Sequence, residues 1–405
     1  MKLLLFKVNR IWKVVVLVLL IGITFSYAMF QGGFVSWFLF SSFVPFALYA
    51  LILAVYPLQG VKVIRSLEKS EFYTGESVTV KLVLTRKTWL PLFYMIIEDG
   101  IPATLPHSDK SNSSKKCLFP RFGKHFSYSY KLDQLSRGEH IFQGLKITIG
   151  DPLGFIEKDI LLVLEEKIIV YPTFEEINYR SVQNQFDQGM AATNERVQRD
   201  TTIVTGVRDY QPGDRFSWIN WKASAKRNEI MVKEFEQRQS HDVQIMIDCA
   251  REERFEIIVS FAASVSKAII LRGVQVGLIA SGKDRVSVPI RGGDFQLQLL
   301  FYTLAKIKDN SPISFDRVFE SERFHTQDQV TIMLFTSKLS KPLIENASFT
   351  AKRKGSMFIF LLKKEKEVSN ENEQILMMMA NRRGVKVVMV HERNFSPALL
   401  EVSKA

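Results

Sequence analysis

The chain has 405 residues, 46% apolar and 24% charged, a balance that excludes a disordered or collagen-like polymer and leaves room for about two or three domains. Its two cysteines, Cys117 and Cys249, are too few for a disulfide framework or for a structural zinc site, which takes about four ligands. With 54 Lys and Arg against 42 Asp and Glu the net charge is +12, which admits nucleic acid, an anionic membrane surface or an acidic protein as partner.

The first elements in the chain are two apolar runs, Val14–Phe30 and Phe34–Tyr56, separated by Gln31-Gly32-Gly33. No Asp, Glu, Lys or Arg occurs from Val14 to Val61. A helix rises about 1.5 Å per residue and the hydrocarbon core is about 30 Å thick, so both runs are expected to span a bilayer as a helical hairpin over residues 1–60. Trp12, Trp37 and Tyr56 lie near the run ends, where interfacial aromatics are favoured. Lys2, Lys7, Arg10 and Lys13 precede the first run, and Lys62, Arg65 and Lys69 follow the second. By the positive-inside rule the protein is expected in the plasma membrane, two-pass, with both termini cytoplasmic. A cleaved signal peptide ending near Ser26-Tyr27-Ala28 is the competing reading, but the second run follows almost at once.

Residues 61–172 read as a β-rich, sandwich-like domain. Expected strands are Val61–Ser66, Ser77–Leu84, Phe93–Glu98, His125–Leu132, His140–Thr148, Ile160–Leu164 and Ile168–Tyr171, bounded by turn clusters such as Tyr73-Thr74-Gly75-Glu76. Lys110–Lys116 reads as an exposed loop, and Gln183–Asn194 as another. Residues 173–242 form a mixed segment. From 243 to 405 strands and helices alternate: strands Val243–Cys249, Val274–Ser281, Val330–Thr336, Ser356–Leu362 and Val385–His391, helices Arg254–Leu271, Phe295–Lys306 and Glu373–Arg382. Continuous apolar strands between helices predict an open, doubly wound parallel sheet, a Rossmann-like α/β domain.

That domain carries no Gly-x-Gly-x-x-Gly and no Gly-x-x-x-x-Gly-Lys-Ser/Thr, so no nucleotide cofactor is implied. Six scattered histidines form no metal-binding or catalytic spacing, and no enzyme activity is expected. Asp248, at the carboxyl end of the first strand of the α/β domain, occupies the usual ligand position of such sheets. The expected role for it is to cap the following helix; holding a cation with Glu252 is the alternative.

The densest segment runs from Gly206 to Glu236. Gln211-Pro212-Gly213-Asp214 has the composition of a type II turn. Trp218, Ile219 and Trp221 are expected to form an apolar ridge after it, among Arg208, Arg215, Lys222, Lys226 and Arg227. Tryptophan and arginine together suit a protein interface; stacking with phosphate contact also suits a nucleic-acid strand. The structural alternative is a clamp, with Arg208 or Lys222 paired to Asp209 or Asp214 and the tryptophans buried.

This segment resembles the signature of the bacterial domain of unknown function 58 family, Arg-x-Tyr-x-Pro-Gly-Asp followed by Ile-Asp-Trp-Lys-x-Ser-Ala-Arg. Arg208, Tyr210, Pro212, Gly213, Asp214, Ile219, Trp221, Lys222, Ser224 and Ala225 match, while Asn220 stands for the usual Asp and Lys226 for the usual Arg. Arg137-Gly138, Asp151-Pro152-Leu153-Gly154 and Val170-Tyr171-Pro172 extend the likeness. The resemblance implies a von Willebrand factor A-like domain over residues 243–405. In that fold Asp248 would open an Asp-x-Ser-x-Ser metal site, but Ala250 and Glu252 stand at the serine positions, leaving a degenerate remnant. It further implies a membrane-anchored partner of a MoxR-type AAA+ ATPase, often beside a transglutaminase-like membrane protein. The expected function is a non-enzymatic interaction or scaffold protein, with lipid and protein partners and no nucleic acid; a nucleic-acid-binding or hydrolytic role for residues 206–236 is the alternative.

Overall fold

The computed structural model describes residues 2–57, 60–88, 90–102, 104–105, 115–179, 204–212, 214–235, 242–322, 330–354 and 356–403. The chain divides into two compact units, Met1–Thr173 and Phe174–Ala405. The expected Gln183–Asn194 loop, most of Lys110–Lys116 and Gly213 lie outside the described residues.

The first unit begins with two helices, α1 (Lys2–Gln31) and α2 (Phe34–Val55), joined by Gly32-Gly33 at positive φ. Trp12–Gln31 and Phe34–Val55 are long and apolar enough to cross a membrane, and large apolar side chains such as Phe38 and Leu39 face outward along them. A sheet-rich region follows: β1 (Val61–Leu67), β2 (Glu71–Tyr73), β3 (Val78–Arg86), β4 (Tyr94–Asp99), β5 (Lys115–Leu118), β6 (His125–Leu132), β7 (Gly138–Phe142), β8 (Leu145–Gly150), β9 (Glu157–Leu162) and β10 (Glu166–Tyr171). These strands divide into three sheets rather than the two of a simple sandwich: β1-β3-β6, β2-β10-β7 and β5-β4-β8-β9.

Period-two alternation explains the core. Val78, Val80, Leu82 and Leu84 of β3 all point inward and are buried, against Val61 and Val63 of β1 and Tyr130 and Leu132 of β6. The single strand expected over His140–Thr148 is two strands. β7 pairs with β10 and β8 with β4 and β9, so the chain changes sheet at Gln143-Gly144. A Cβ on Gly144 would lie 2.5 Å from the Leu162 carbonyl oxygen, so only glycine fits that crossing.

The inward face of β1 contains one charge. Arg65 and Asp99 form an ion pair with both side chains fully buried. Arg65 also donates to the Gln143 and Leu164 carbonyls at 2.9 Å, and the Tyr130 hydroxyl donates to Asp99 at 2.5 Å. The group joins β1 and β6 of one sheet to β4 of another and to the β7–β8 crossing. Burial, then the Asp99 carboxylate, pushes the Tyr130 hydroxyl far above the ordinary phenol range.

The second unit holds the hairpin strands β11 (Val204–Asp209) and β12 (Met231–Phe235), with α3 (Trp221–Arg227) between them, and then the α/β region. That region has β13 (Val243–Ile247), α4 (Phe255–Ile270), β14 (Val276–Ala280), β15 (Val286–Arg291), α5 (Asp294–Lys306), α6 (Phe315–Ser321), β16 (Thr331–Thr336), α7 (Lys341–Lys354), β17 (Met357–Lys363), α8 (Glu371–Arg382), β18 (Lys386–His391) and α9 (Ser396–Ser403). The sheet order is β15-β14-β13-β16-β17-β18, parallel except for the edge strand β15. Counted from β13 that is 3-2-1-4-5-6, the doubly wound order.

Helices cover both faces. Phe261 of α4 packs against Phe335 and Phe360 on one face, with ring centroids 4.9 and 5.2 Å away. Met246, Leu334 and Ile359 point to the other face, toward Phe315, Leu343, Ile344 and Ala380 of the remaining helices. Complete burial of β13, β14 and β17 matches their continuous apolar sequence.

Candidate functional site

The signature segment builds a knob on the β11–β12 hairpin. Arg208 pairs with Val232 and Asp209 with Met231 across the ladder, and the Tyr210 N–H donates to the Ile230 carbonyl at 2.9 Å. The chain then turns: the Asp214 N–H donates to the Gln211 carbonyl at 3.1 Å, and Pro212 pre-sets φ within the turn. The Asp214 carboxylate accepts the Gln211 N–H at 2.9 Å and both terminal nitrogens of Arg208 at 2.8 and 2.7 Å. This bidentate pair ties the turn to the strand it leaves. The hydrogen bonds from Arg208 to Asp214 are also the main cause that raises the guanidinium pKa.

A 3₁₀ turn over Phe216–Trp218 follows, and Ile219 is buried in a bridge to Val232. Asn220 caps α3, its side chain accepting the Ala223 N–H at 3.3 Å. An Asn does this as well as the Asp usual at this place in the signature. Ser224 fastens α3 to β12: its Oγ accepts the Met231 N–H at 2.9 Å and donates to the Asn220 carbonyl at 3.0 Å. Asn228 ends the helix with φ +60°.

The expected ridge of Trp218, Ile219 and Trp221 is split, because the bridge at Ile219 turns its side chain inward. Trp221 is 70% exposed and Phe216 77% exposed. Trp218 is half-buried, with the Arg215 guanidinium 5.4 Å from its ring centroid. Lys222, Ala225, Lys226 and Arg227 are exposed. No acidic residue occurs from Arg215 to Asn228. The signature thus sorts itself: Arg208, Tyr210, Pro212, Asp214 and Ser224 hold the conformation, and Trp221 and Lys222 are presented to the outside.

Asp248 does not cap a helix. The next helix, α4, starts at Phe255 with Arg254 at its cap, too far along the chain for Asp248 to reach its first turn. Instead one carboxylate oxygen accepts the Ala250 N–H at 3.0 Å and the other the Thr336 hydroxyl at 2.7 Å. Burial raises the Asp248 pKa, against the pull of those two donors. Both oxygens are engaged by the protein itself, at the point between β13 and β16 where the strand order reverses. Glu252 is turned to Lys338 in an ion pair. Among the described residues no group of three His, Cys, Asp or Glu is placed to hold a metal ion.

Sequence reasoning missed the charged cluster at the carboxyl edge of the same sheet. Buried Lys363, at the end of β17, donates to both oxygens of Glu373 at 2.7 and 2.8 Å and to Glu367 at 3.3 Å. Arg254 reaches Glu367 at 2.6 Å and the Ser337 carbonyl at 2.8 Å. Burial opposes ionisation of Glu367 and Glu373, but the hydrogen bonds from Lys363 and from the backbone hold both below the ordinary Glu value. The available signal was Asn370 followed three residues on by Glu373, the capping box that α8 forms.

A family model described as protein of unknown function DUF58 matches residues 206–365. A relative from Bacillus subtilis (strain 168), uncharacterized protein YeaD, is 34% identical over 384 residues, covering 93% of this chain and 94% of the relative. Among solved structures, proximal thread matrix protein 1 from the mussel byssus aligns over 40% of this chain and 47% of its own, at 13% identity and a TM-score of 0.28. The sporulation control protein Spo0M from Bacillus subtilis aligns over 27% of this chain and 49% of its own, at 14% identity and a TM-score of 0.16. Scores this low carry no argument about fold or function.

Proposed function

The chain belongs to the DUF58 family, and on that premise we propose that it is a membrane-anchored, non-enzymatic interaction protein whose signature hairpin docks a protein partner. The observation that carries this reading is the exposure of Trp221 and Phe216 on a segment locked from within by Arg208, Asp214 and Ser224. A rigid backbone that presents aromatic rings and cations loses little entropy on binding, and Trp and Arg dominate interface hot spots. In this reading the two apolar helices are the anchor, and the cations Lys2, Lys7, Arg10, Lys13, Lys62 and Lys69 that flank them favour cytoplasmic termini by the positive-inside rule.

The partner fitting the family resemblance is an AAA+ ATPase of the MoxR type, in a complex that also takes in a transglutaminase-like membrane protein. The α/β region is read as von Willebrand A-like, supported by its 3-2-1-4-5-6 order and by Asp248 at the strand end. In-cell photocrosslinking of the full chain from positions 216 and 221 tests the proposal. Capture of an ATPase supports it. Recovery of nucleic acid, or of no protein from either position, overturns it.

A further inference from the structure

The sheet-rich part of the first unit does not stand clear of the apolar hairpin. Phe155 packs edge-on against Phe43 of α2 with centroids 6.3 Å apart, and Ile156 is buried among Leu17, Ala47 and Ala50. Phe93 packs against Tyr49 at 5.0 Å, and the Tyr49 hydroxyl donates to the Pro91 carbonyl at 3.0 Å. These contacts lie well inside the span. Counting back from Val55 at about 1.5 Å per residue, Tyr49 is about 9 Å, Ala47 about 12 Å and Phe43 about 18 Å along the helix. Helix α2 has 22 residues, about 33 Å against a hydrocarbon thickness of about 30 Å, so there is almost no spare length to lift these positions out of the lipid.

The parts that reach this depth are suited to it. In the Asp151–Ile156 turn, Asp151 is buried and its carboxylate accepts the Leu153 and Ile156 N–H groups at 3.0 and 2.5 Å. Its own N–H donates to the Ile156 carbonyl and the Gly154 N–H returns to the Asp151 carbonyl. The N–H groups of Asp151, Leu153, Gly154 and Ile156 are thus bonded within the turn, which lowers the cost of bringing irregular chain near lipid. Leu153 at the tip is 51% exposed. Beside it, the Phe119–Lys124 turn pairs with Leu92, next to the residues that touch Tyr49, through reciprocal bonds to Arg121 at 3.0 Å. Arg86 clamps that turn by donating to the Gly123, Arg121 and Leu90 carbonyls at 2.6 to 2.7 Å. Phe93, Phe119 and Phe122 are 49%, 72% and 65% exposed, and Lys87, Arg121 and Lys124 lie on the surface among them. An apolar groove of about 580 Å³ lies between the last turns of α2 and the next loop, lined by Leu48, Leu51, Ile52, Val55, Thr88 and Leu90.

We infer that the first unit is seated in the bilayer, with the Phe93/Phe119/Phe122 rim inserted in the leaflet at the Val55 end of α2, the Asp151–Ile156 turn reaching against α2 to about the middle of the hydrocarbon, and a lipid acyl chain in the groove. Exposed aromatics in the acyl region with cations at the headgroups are the chemistry of an interfacial seat on an anionic leaflet. The inference rests on the two helices spanning the membrane.

The test uses the full chain with Cys117→Ser, in vesicles of phosphatidylcholine and phosphatidylglycerol whose acyl chains are brominated. Cysteines introduced one at a time at Leu39, Leu153, Phe119 and Asp133 carry a fluorophore, and the remaining Cys249 is fully buried and shielded from the label. Leu39→Cys reports the span; Asp133→Cys sits beyond the far end of β6 from the rim. Quenching at Leu153→Cys and Phe119→Cys is expected within about twofold of Leu39→Cys and well above Asp133→Cys, as for side chains below the headgroups. Quenching at Leu39→Cys with Leu153→Cys and Phe119→Cys no higher than Asp133→Cys overturns the seat and leaves the spans intact. Absence of quenching at Leu39→Cys overturns the spanning reading and the seat with it.

Discussion

Asp99→Ala removes the carboxylate that neutralises Arg65 in the core of the sheet-rich region. Both side chains have no solvent access, and Nε of Arg65 lies 3.3 Å from Asp99. Opposite charges about 4 Å apart attract by about 4 kcal/mol at an effective dielectric of about 20. In Asp99→Ala the guanidinium keeps the Gln143 and Leu164 carbonyls, and the Phe142 ring 5.3 Å away, but no counter-charge from this pair. The expected loss is therefore about 3–5 kcal/mol, the cost of a buried ion left alone. Tyr130→Phe removes one hydrogen bond to that carboxylate and costs about 1.5–3 kcal/mol. Replacing the whole group at once, Arg65→Met with Asp99→Leu and Tyr130→Phe, removes every unpaired member and recovers most of the loss.

Because the chain has two units, a global midpoint mixes their transitions. The assay is hydrogen exchange of β1, β4 and β6 in the full chain in detergent micelles, read across a urea series. Asp99→Ala costing less than Tyr130→Phe, or a triple variant no more protected than Asp99→Ala, refutes the argument that the ion pair ties β1 of one sheet to β4 of another.

Four further outcomes follow from the geometry. His140 is buried, 2.7 Å from both Thr104 Oγ1 and the Ser136 carbonyl, and burial lowers its pKa below 6.5. The unfolded chain therefore binds a proton as pH drops through 6.5 while the fold does not, so stability falls with pH in that window; His140→Gln flattens the dependence, read by hydrogen exchange of β7. Gly144→Ala drives a methyl against the Leu162 carbonyl and costs about 1–3 kcal/mol, with β8 and β9 losing protection first. Thr336→Val takes a donor from the already destabilised Asp248 carboxylate and costs about 1–3 kcal/mol at neutral pH; the penalty shrinks as acid protonates Asp248, a trend that hydrogen exchange of β13 and β16 across a urea series at several pH values detects. Trp221→Ala changes stability by no more than about 0.5 kcal/mol, because the ring is largely in solvent, yet abolishes crosslinking to the partner from position 216.

Local patterns were legible where one physical rule decides. The charge gap predicts the apolar hairpin, and continuous apolar runs predict β13, β14, β16, β17 and β18 within a few residues. Elements that depend on pairing were not. β5 has three of its four residues exposed, and its register against β4 leaves no periodic trace. Helix α7 is polar along most of its length, and Leu343, Ile344 and Ala347 are the contacts that seat it on the sheet. The change of sheet at Gln143-Gly144 reads in sequence as one continuous strand, because nothing local records which partner each half will take.

The net charge of +12 shows the same limit on function. A sequence counts cations; it does not say which ones face water. Arg65, Arg86, Lys158 and Lys363 are all buried. By sequence position Arg65 counts among the cations flanking the second span, yet it sits against Asp99. Lys158 donates to the Tyr56 carbonyl at 2.7 Å, at the orphaned carboxyl end of α2, where a cation complements the helix dipole. These four organise the interior. Arg215, Lys222, Lys226 and Arg227 differ in kind: they are exposed on the same acid-free stretch, 215–228, as the exposed Phe216 and Trp221 rings, on a backbone fixed by other residues. The composition of the signature segment could not separate Arg208, which clamps a turn, from Lys222, which faces outward. Only the bidentate contact to Asp214 does so, and it is what turns a basic, tryptophan-rich stretch into a defined surface for a partner.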